Sequence, residues 1–390
     1  MTDEHSSRAQ RAALWALFAG NFAIGTGVLL PAGMLNDLAA GLGLTPSRAG
    51  LLLFVGGIVI GLGAPVFASL TNRFGRRGLL VASLALYVVG HALSAVVSGF
   101  TELLIIRALT IVAAGIFTPQ AAACVGLLVP PERRAQSVAF IFIGWSIASV
   151  AGVPLGSLVS AALGWRIAYA IMALLSLIAM LLVWRFIPKG LRIEPLSLSA
   201  WRDVFTRPAQ ICVLLVTLAS ASGQFTLFSY MAPLFKDTLG AAPTLIAALL
   251  AVLGIAGVAG NLLAVRVVGR FGIDRTILLS FIAMLTGIVL FGLTAGITIA
   301  AAVSVGIWGL GTFSSNSLQQ SRLIALAPSL ASASVALNTS VIYLGQAVGA
   351  GAGGRLIAAG DYRYLAWVGA FFVALAIILS LTAERLSRRA

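Results

Sequence analysis

Residues 276–321, TILLSFIAMLTGIVLFGLTAGITIAAAVSVGIWGLGTFSSNSLQQS, run for 46 positions without an Asp, Glu, Lys or Arg. As one helix the stretch would be roughly 69 Å long at 1.5 Å per residue, more than twice the bilayer's hydrocarbon thickness of about 30 Å. It therefore holds two membrane spans, with a turn near Thr294 to Thr298. The rest of the chain follows the same pattern. Further charge-free runs occupy 12–36, 49–72, 78–101, 108–131, 135–165, 167–184, 208–235, 238–265, 323–354 and 364–383, each long enough for one span. The total is twelve, and the fold expected is an all-α membrane protein of twelve transmembrane helices in two pseudo-symmetric six-helix bundles. Composition agrees: 60% of the 390 residues are hydrophobic and 9% are charged, with a mean hydropathy of +1.06. An ordinary soluble domain carries about 25% charged residues, so a soluble enzyme is excluded.

The charges lie in the gaps between runs, so the formal net charge of +14 orients a membrane protein and does not point to nucleic acid. Assigning alternate gaps to the cytoplasm collects 19 of the 25 Lys and Arg residues there and places both termini inside. The longest polar gap, Arg185 to Pro208, reads as a cytoplasmic linker in which Leu196, Leu198, Trp201, Val204 and Phe205 are spaced for an amphipathic helix. The organisation expected is a cytoplasmic tail (1–11), a six-helix bundle (12–185), the linker (186–208), a second six-helix bundle (209–383) and a second tail (384–390). The two bundles repeat at an offset of 197 residues. Arg73-Phe74-Gly75 matches Arg270-Phe271-Gly272, Gly152 and Gly156 match Gly349 and Gly353, and Trp165-Arg166 matches Tyr362-Arg363. Parallel repeats of this kind suit a transporter whose site lies between its halves. The polar start runs straight into a full-length span without a small-residue cleavage site, so no cleaved leader is expected. Cys124 and Cys212 fall inside apolar runs, which offers neither a disulfide framework nor a metal cluster.

Three stretches carry finer information. Asn72-Arg73-Phe74-Gly75-Arg76-Arg77 forms a short basic loop between spans two and three, where a glycine permits a sharp turn and arginines can donate to helix C-termini. Span four carries Arg107 and Gly115. Span five reads Gly144-Trp145-Ser146 through Gly152-Val153-Pro154-Leu155-Gly156, where glycines four apart remove bulk and Pro154 frees a carbonyl. Together these resemble signatures of the major facilitator superfamily. The resemblance implies a cytoplasmic latch built from Asn72, Arg73, Gly75, Arg76 and Arg77, a functional membrane arginine at Arg107, and an antiporter-type flexing helix at Gly152, Pro154 and Gly156. Asn72 stands where the family usually has aspartate, which makes the latch hydrogen-bonded instead of charged. Phe22 to Gly27, Ala64-Pro65, Val129 to Arg134, Gly164-Trp165-Arg166, Leu337-Asn338 and Trp367-Val368-Gly369 resemble the drug and sugar efflux (arabinose-efflux-like) branch of twelve-helix antiporters. Export is what that likeness implies.

All eleven acids lie in gaps or near span ends. Efflux relatives commonly show Gly-Thr-x-Glu in span one, and this chain has Gly25-Thr26-Gly27-Val28. With no buried anion to compensate it, a cationic solute is disfavoured. Asp37 and His91 are the candidates for proton coupling, with capping and packing as their alternatives, and exchange for protons stays open. Polar side chains in apolar helices are costly unless they face protein or water. That nominates Asn21, Gln120, Gln224, Asn261, Asn316, Asn338, Tyr343 and Gln346 as solute-binding, with Trp145, Trp308, Phe225 and Tyr230 as aromatic walls. Such a site suits a neutral or amphiphilic small molecule: a drug, sugar or nucleoside-like compound. The function expected is a monomeric secondary active transporter in the inner membrane of a prokaryote, exporting that solute by alternating access. An importer of a neutral or anionic metabolite is the alternative within transport; a non-transporting receptor or structural protein is the alternative of another class. Neither a catalytic set, a cofactor motif nor a metal-ligand spacing occurs, so neither an enzyme nor a cofactor is expected.

Overall fold

The structure is a computed structural model and describes residues 2–71, 74–191, 203–294 and 296–387. Eleven helices among these residues are long and apolar enough to cross a membrane, and a further helix of 28 residues, Ala331–Ala358, precedes the last of them. The long helices are α1 (Thr2–Gly33), α2 (Leu51–Thr71), α3 (Arg76–Val96), α4 (Phe100–Leu128), α5 (Pro131–Leu163), α6 (Trp165–Phe186), α7 (Pro208–Phe228), α8 (Pro243–Phe271), α9 (Ile273–Leu293), α10 (Thr298–Leu326), α11 (Ala331–Ala358) and α12 (Tyr364–Ser387). The long uncharged stretch is indeed two helices, α9 ending at Leu293 and α10 beginning at Thr298. The polar start is helical and continuous with α1, as Ala9, Gln10, Arg11 and Ala12 favour on propensity. Asn72 and Arg73 of the basic loop, and Leu196, Leu198 and Trp201 of the linker, lie outside the described residues.

Large apolar side chains that face outward, such as Leu62, Val265, Ile299 and Phe371, mark a surface made for lipid. Inside, small residues set the packing. In the first half α1 lies against α4, α5 and α6, while α3 packs on α4 and α6. In the second, α7 lies against α11 and α12, and α10 against α8 and α9. The matched glycines occupy equivalent places. A Cβ on Gly152 of α5 would collide with Thr26 of α1, and one on its match, Gly349 of α11, would collide with the Ser222 carbonyl of α7. Each pair lets a helix approach the first helix of its own half. The matched loop glycines differ. Gly272 has φ +79°, a conformation only glycine adopts cheaply, whereas Gly75 has φ −62° and ψ 134°, open to any residue. The sharp turn expected of Gly75 is made only by its counterpart.

The halves meet along two crossings, α2 with α11 and α5 with α8. A Cβ on Gly57 would lie 2.6 Å from the Tyr343 carbonyl oxygen and 2.8 Å from the Ala347 nitrogen, and one on Gly254 would lie 2.8 Å from the Ser149 carbonyl oxygen. Ser47 Oγ donates to the Gly354 carbonyl at 2.7 Å, and Gln346 Nε2 to the Leu53 carbonyl at 3.2 Å. These contacts run from mid-span to the end opposite the chain termini. There the short helices Leu35–Gly41 and Met231–Leu239 also touch.

Candidate functional site

The interior of α1 is where sequence, backbone and burial combine most closely. Pro31 has no N–H, so the carbonyl of Gly27, four residues earlier, loses its helical donor. Arg107 of α4 fills the gap. Its Nη1 donates to the Gly27 carbonyl and its Nη2 to the Val28 carbonyl, both at 2.8 Å. The side chain is 2% exposed, and Gly56 of α2 leaves room beside it. Tyr87 donates to the Ile24 carbonyl at 3.0 Å, one turn earlier on α1. His91 Nδ1 donates to the Tyr87 carbonyl at 2.8 Å, and its ring stands between Tyr87 and Tyr169, with centroids at 4.3 and 5.8 Å. That hydrogen bond leaves His91 Nε2 as a bare acceptor, and it has no partner. Gly27 gives this cluster its space: a Cβ there would collide with the Tyr87 hydroxyl and approach His91 Nε2.

Asn21, one and a half turns nearer the start of α1, is fully buried beside Gly144 of α5, and both amide atoms lack a partner. Thr26 Oγ1 and Trp145 Nε1 are buried and unpartnered along the same α1–α5 contact. Buried polar groups without partners are rare and costly, several kcal/mol each where no water can reach.

The other nominated residues divide by environment. Gln120 accepts from the buried Arg76 guanidinium, joining α4 to α3 towards the termini. Asn338 Oδ1 accepts from Thr217 Oγ1 at 2.8 Å, joining α11 to α7. Gln346 lies in the crossing between halves with Oε1 unpartnered. Tyr230 donates to the Ala350 carbonyl at 2.8 Å, and a Cβ on Gly50 of the other half would collide with its ring. Trp308 is buried against Gly287 of α9, with Nε1 unpartnered. Phe225 packs edge-on to Phe228, with centroids 5.6 Å apart. Gln224 keeps slight exposure, and Asn261, Asn316 and Tyr343 are half-buried. Asp37 is half-buried in the first turn of the short helix Leu35–Gly41. Gly156 meets Leu30 of α1, and Pro154 follows the π-helical turn Ala148–Gly152 in α5, to which it brings no N–H. Arg77 lies over the Trp184 ring at 5.6 Å.

Several participants were not singled out from sequence. Pro31, Tyr87, Tyr169 and Thr217 belong to the networks above. Arg322 of α10 meets Asp274 at 3.0 Å and donates to Ser380 Oγ at 3.0 Å and the Ser380 carbonyl at 3.2 Å, joining α9, α10 and α12. A charge inside an apolar run was a visible signal for Arg322; the proline four residues after Gly27 was a visible signal for the α1 gap.

Comparison with known proteins places this geometry. A family model described as Major Facilitator Superfamily matches residues 17–349. The "Inner membrane transport protein YdhP" of Escherichia coli (strain K12) is 30% identical over 374 residues, spanning 95% of this chain and 96% of the relative. The "Probable sugar efflux transporter" of Pasteurella multocida (strain Pm70) is 27% identical over 358 residues, 92% of this chain and 88% of that one. Among solved structures, a bacterial homolog of the human lysosomal transporter Spinster, described as inward-facing and unoccupied, superposes with a TM-score of 0.74 at 17% identity over 98% of both chains. That likeness shows the fold.

Proposed function

The chain belongs to the Major Facilitator Superfamily, and from that premise we propose that it exports a small neutral or amphiphilic organic solute by alternating access. It is a multi-pass membrane protein and a secondary transporter of a small organic solute, and it is not an enzyme. Within that frame, Ala331–Ala358 counts as the eleventh of twelve spans, and residues 12–185 and 209–383 are the two bundles that rock about the crossings of α2 with α11 and α5 with α8. The equivalent glycine contacts in α5 and α11 support the pseudo-symmetry. The charge bias puts the termini in the cytoplasm, and the name of the Escherichia coli relative supports an inner membrane. Contacts between halves cluster at the far end, so the pathway opens towards the termini, the state its structural neighbour is described in. The transporter works as a monomer.

The observation that carries the reading is Asn21: a fully buried amide in an apolar span, with four hydrogen-bonding positions and no partner among the described residues. A solute hydroxyl or carbonyl supplies that partner during the cycle. Gln224, Asn261, Asn316, Tyr343 and Gln346 offer polar contacts from the opposite half, with Trp145, Phe225, Trp308 and Tyr230 as apolar walls. Gln120 and Asn338 brace their own halves. The π-helical turn and Pro154 let α5 bend, with Gly152 and Gly156 as its sliding surface on α1. Asn72, Arg73, Gly75, Arg76 and Arg77 form the latch at the termini end. Asp37 and His91 are the groups through which protons are exchanged. The relative named as a probable sugar efflux transporter supports a polyhydroxylated or amphiphilic solute and outward transport.

One observation favours import of an anion instead: Arg107 is a buried cation with no carboxylate among its described partners. Counterflow in proteoliposomes with a panel of neutral, amphiphilic and anionic solutes, with and without an imposed pH gradient, separates the two. Export predicts exchange of neutral solutes accelerated by an opposing proton gradient. Exchange confined to anions overturns it.

A further inference from the structure

We propose that a hollow of about 310 Å³ between α3 and α6 at the termini end is a binding site for one anionic phospholipid. Its lining holds two cationic side chains, Arg77 and Lys189, with Trp184 between helix and lipid, and no acid. Gly75, Gly78 and Gly190 form a bare backbone floor, with nothing within 4 Å of where a Cβ would stand on any of them. Arg77 is held over the Trp184 ring at 5.6 Å, which fixes its guanidinium at the rim, and Lys189 is exposed.

Depth and direction identify the occupant. α3 begins at Arg76 and α6 ends at Phe186, so the hollow sits at head-group level, with Trp184 exposed at the depth where interfacial tryptophans collect. From it a stripe of exposed apolar residues, Leu181, Ile178 and Leu174, climbs α6 at helical spacing. A phosphodiester fits between the guanidinium and the ammonium, its glycerol lies over the glycines and one acyl chain follows the stripe. Two cations facing one phosphate leave a positive excess. A zwitterionic head group would bring its own ammonium into that excess, while an anionic one neutralises it. The larger hollow of about 400 Å³ on α9, lined by Leu285, Thr286, Val289, Leu290 and Leu293, carries no charge and makes no such distinction.

Native mass spectrometry of the full-length protein released from mixed phosphatidylglycerol and phosphatidylcholine micelles tests the site. The wild type retains phosphatidylglycerol over phosphatidylcholine by about thirtyfold, on the scale expected for two interfacial cations. The Arg77→Gln/Lys189→Gln variant loses that preference. So does Gly78→Leu, which fills the hollow without removing a charge. Arg266→Gln/Arg275→Gln, which removes two exposed cations elsewhere at the same end, keeps it. Preference retained in both hollow variants, lost equally in the Arg266/Arg275 variant, or abolished by millimolar inorganic phosphate overturns the proposal. The last outcome marks a small-anion site instead of a lipid site.

Discussion

At the scale of single residues, Asn21 and Asn338 are the same side chain in the same kind of apolar helix, yet their partners make them opposites. Asn338 Oδ1 accepts from Thr217, 121 residues away in sequence, which leaves only its Nδ2 without a partner, whereas neither amide atom of Asn21 has one among the described residues. Asn338→Ala should therefore destabilise the protein by about 1–3 kcal/mol, because it removes the hydrogen bond that joins α11 to α7 and leaves a hole, with Thr217 keeping only the Val213 carbonyl at 3.3 Å. Asn21→Ala should leave the melting midpoint unchanged or higher while solute exchange falls at least about tenfold, the loss of roughly one hydrogen bond of binding energy. Thermal unfolding in detergent beside counterflow reads both; a large destabilisation by Asn21→Ala would show a structural amide. Arg107 and Pro31 make a second test. Arg107→Gln should cost about 1–3 kcal/mol in the native background and less in Pro31→Ala, where a restored N–H serves the Gly27 carbonyl. A double-mutant cycle with no coupling would contradict that division of labour. The polar candidates were legible in sequence because polarity inside an apolar run stands out. Which of them were paired was not, since each pairing depends on how two distant helices are rotated.

At the scale of helices, the charge-free runs located the spans, and the turn between α9 and α10 fell where the 46-residue stretch required it. Helix interiors were less legible. The π-helical turn in α5 leaves the sequence looking like an ordinary span, and Gly57 looks like any of the other 41 glycines until α11 is laid across it. Gly57→Leu should wedge the α2–α11 crossing apart, shown by a cysteine introduced in place of Leu53, at the far end of α2, becoming accessible to a membrane-impermeant thiol reagent. Unchanged protection would mean the crossing tolerates the bulk. The two loop glycines give a sharper pair. Gly272→Ala forces an L-residue to φ +79° and should cost about 1 kcal/mol or more, while Gly75→Ala, at φ −62°, should cost less than half of that. Equal midpoints in thermal unfolding would show that the backbone difference carries no energy.

At the scale of the whole molecule, an internal offset of 197 residues and the positive-charge bias pointed to two halves with a joint between them. What sequence did not show was which ends of the halves touch, because a transporter's two main states share one sequence and differ only in which contacts are made. The contacts seen here close the end away from the termini, and Ser47 and Gly354 lie at its rim, with a Cβ on Gly354 placed 3.6 Å from Ser47 Oγ. Joining them converts the central claim into one measurement: counterflow by the Ser47→Cys/Gly354→Cys variant in proteoliposomes, oxidised and then reduced. The native cysteines, both free and buried, stand apart from that pair. Alternating access predicts that oxidation stops exchange and reduction restores it. Exchange that continues unchanged with the far end locked would contradict the account.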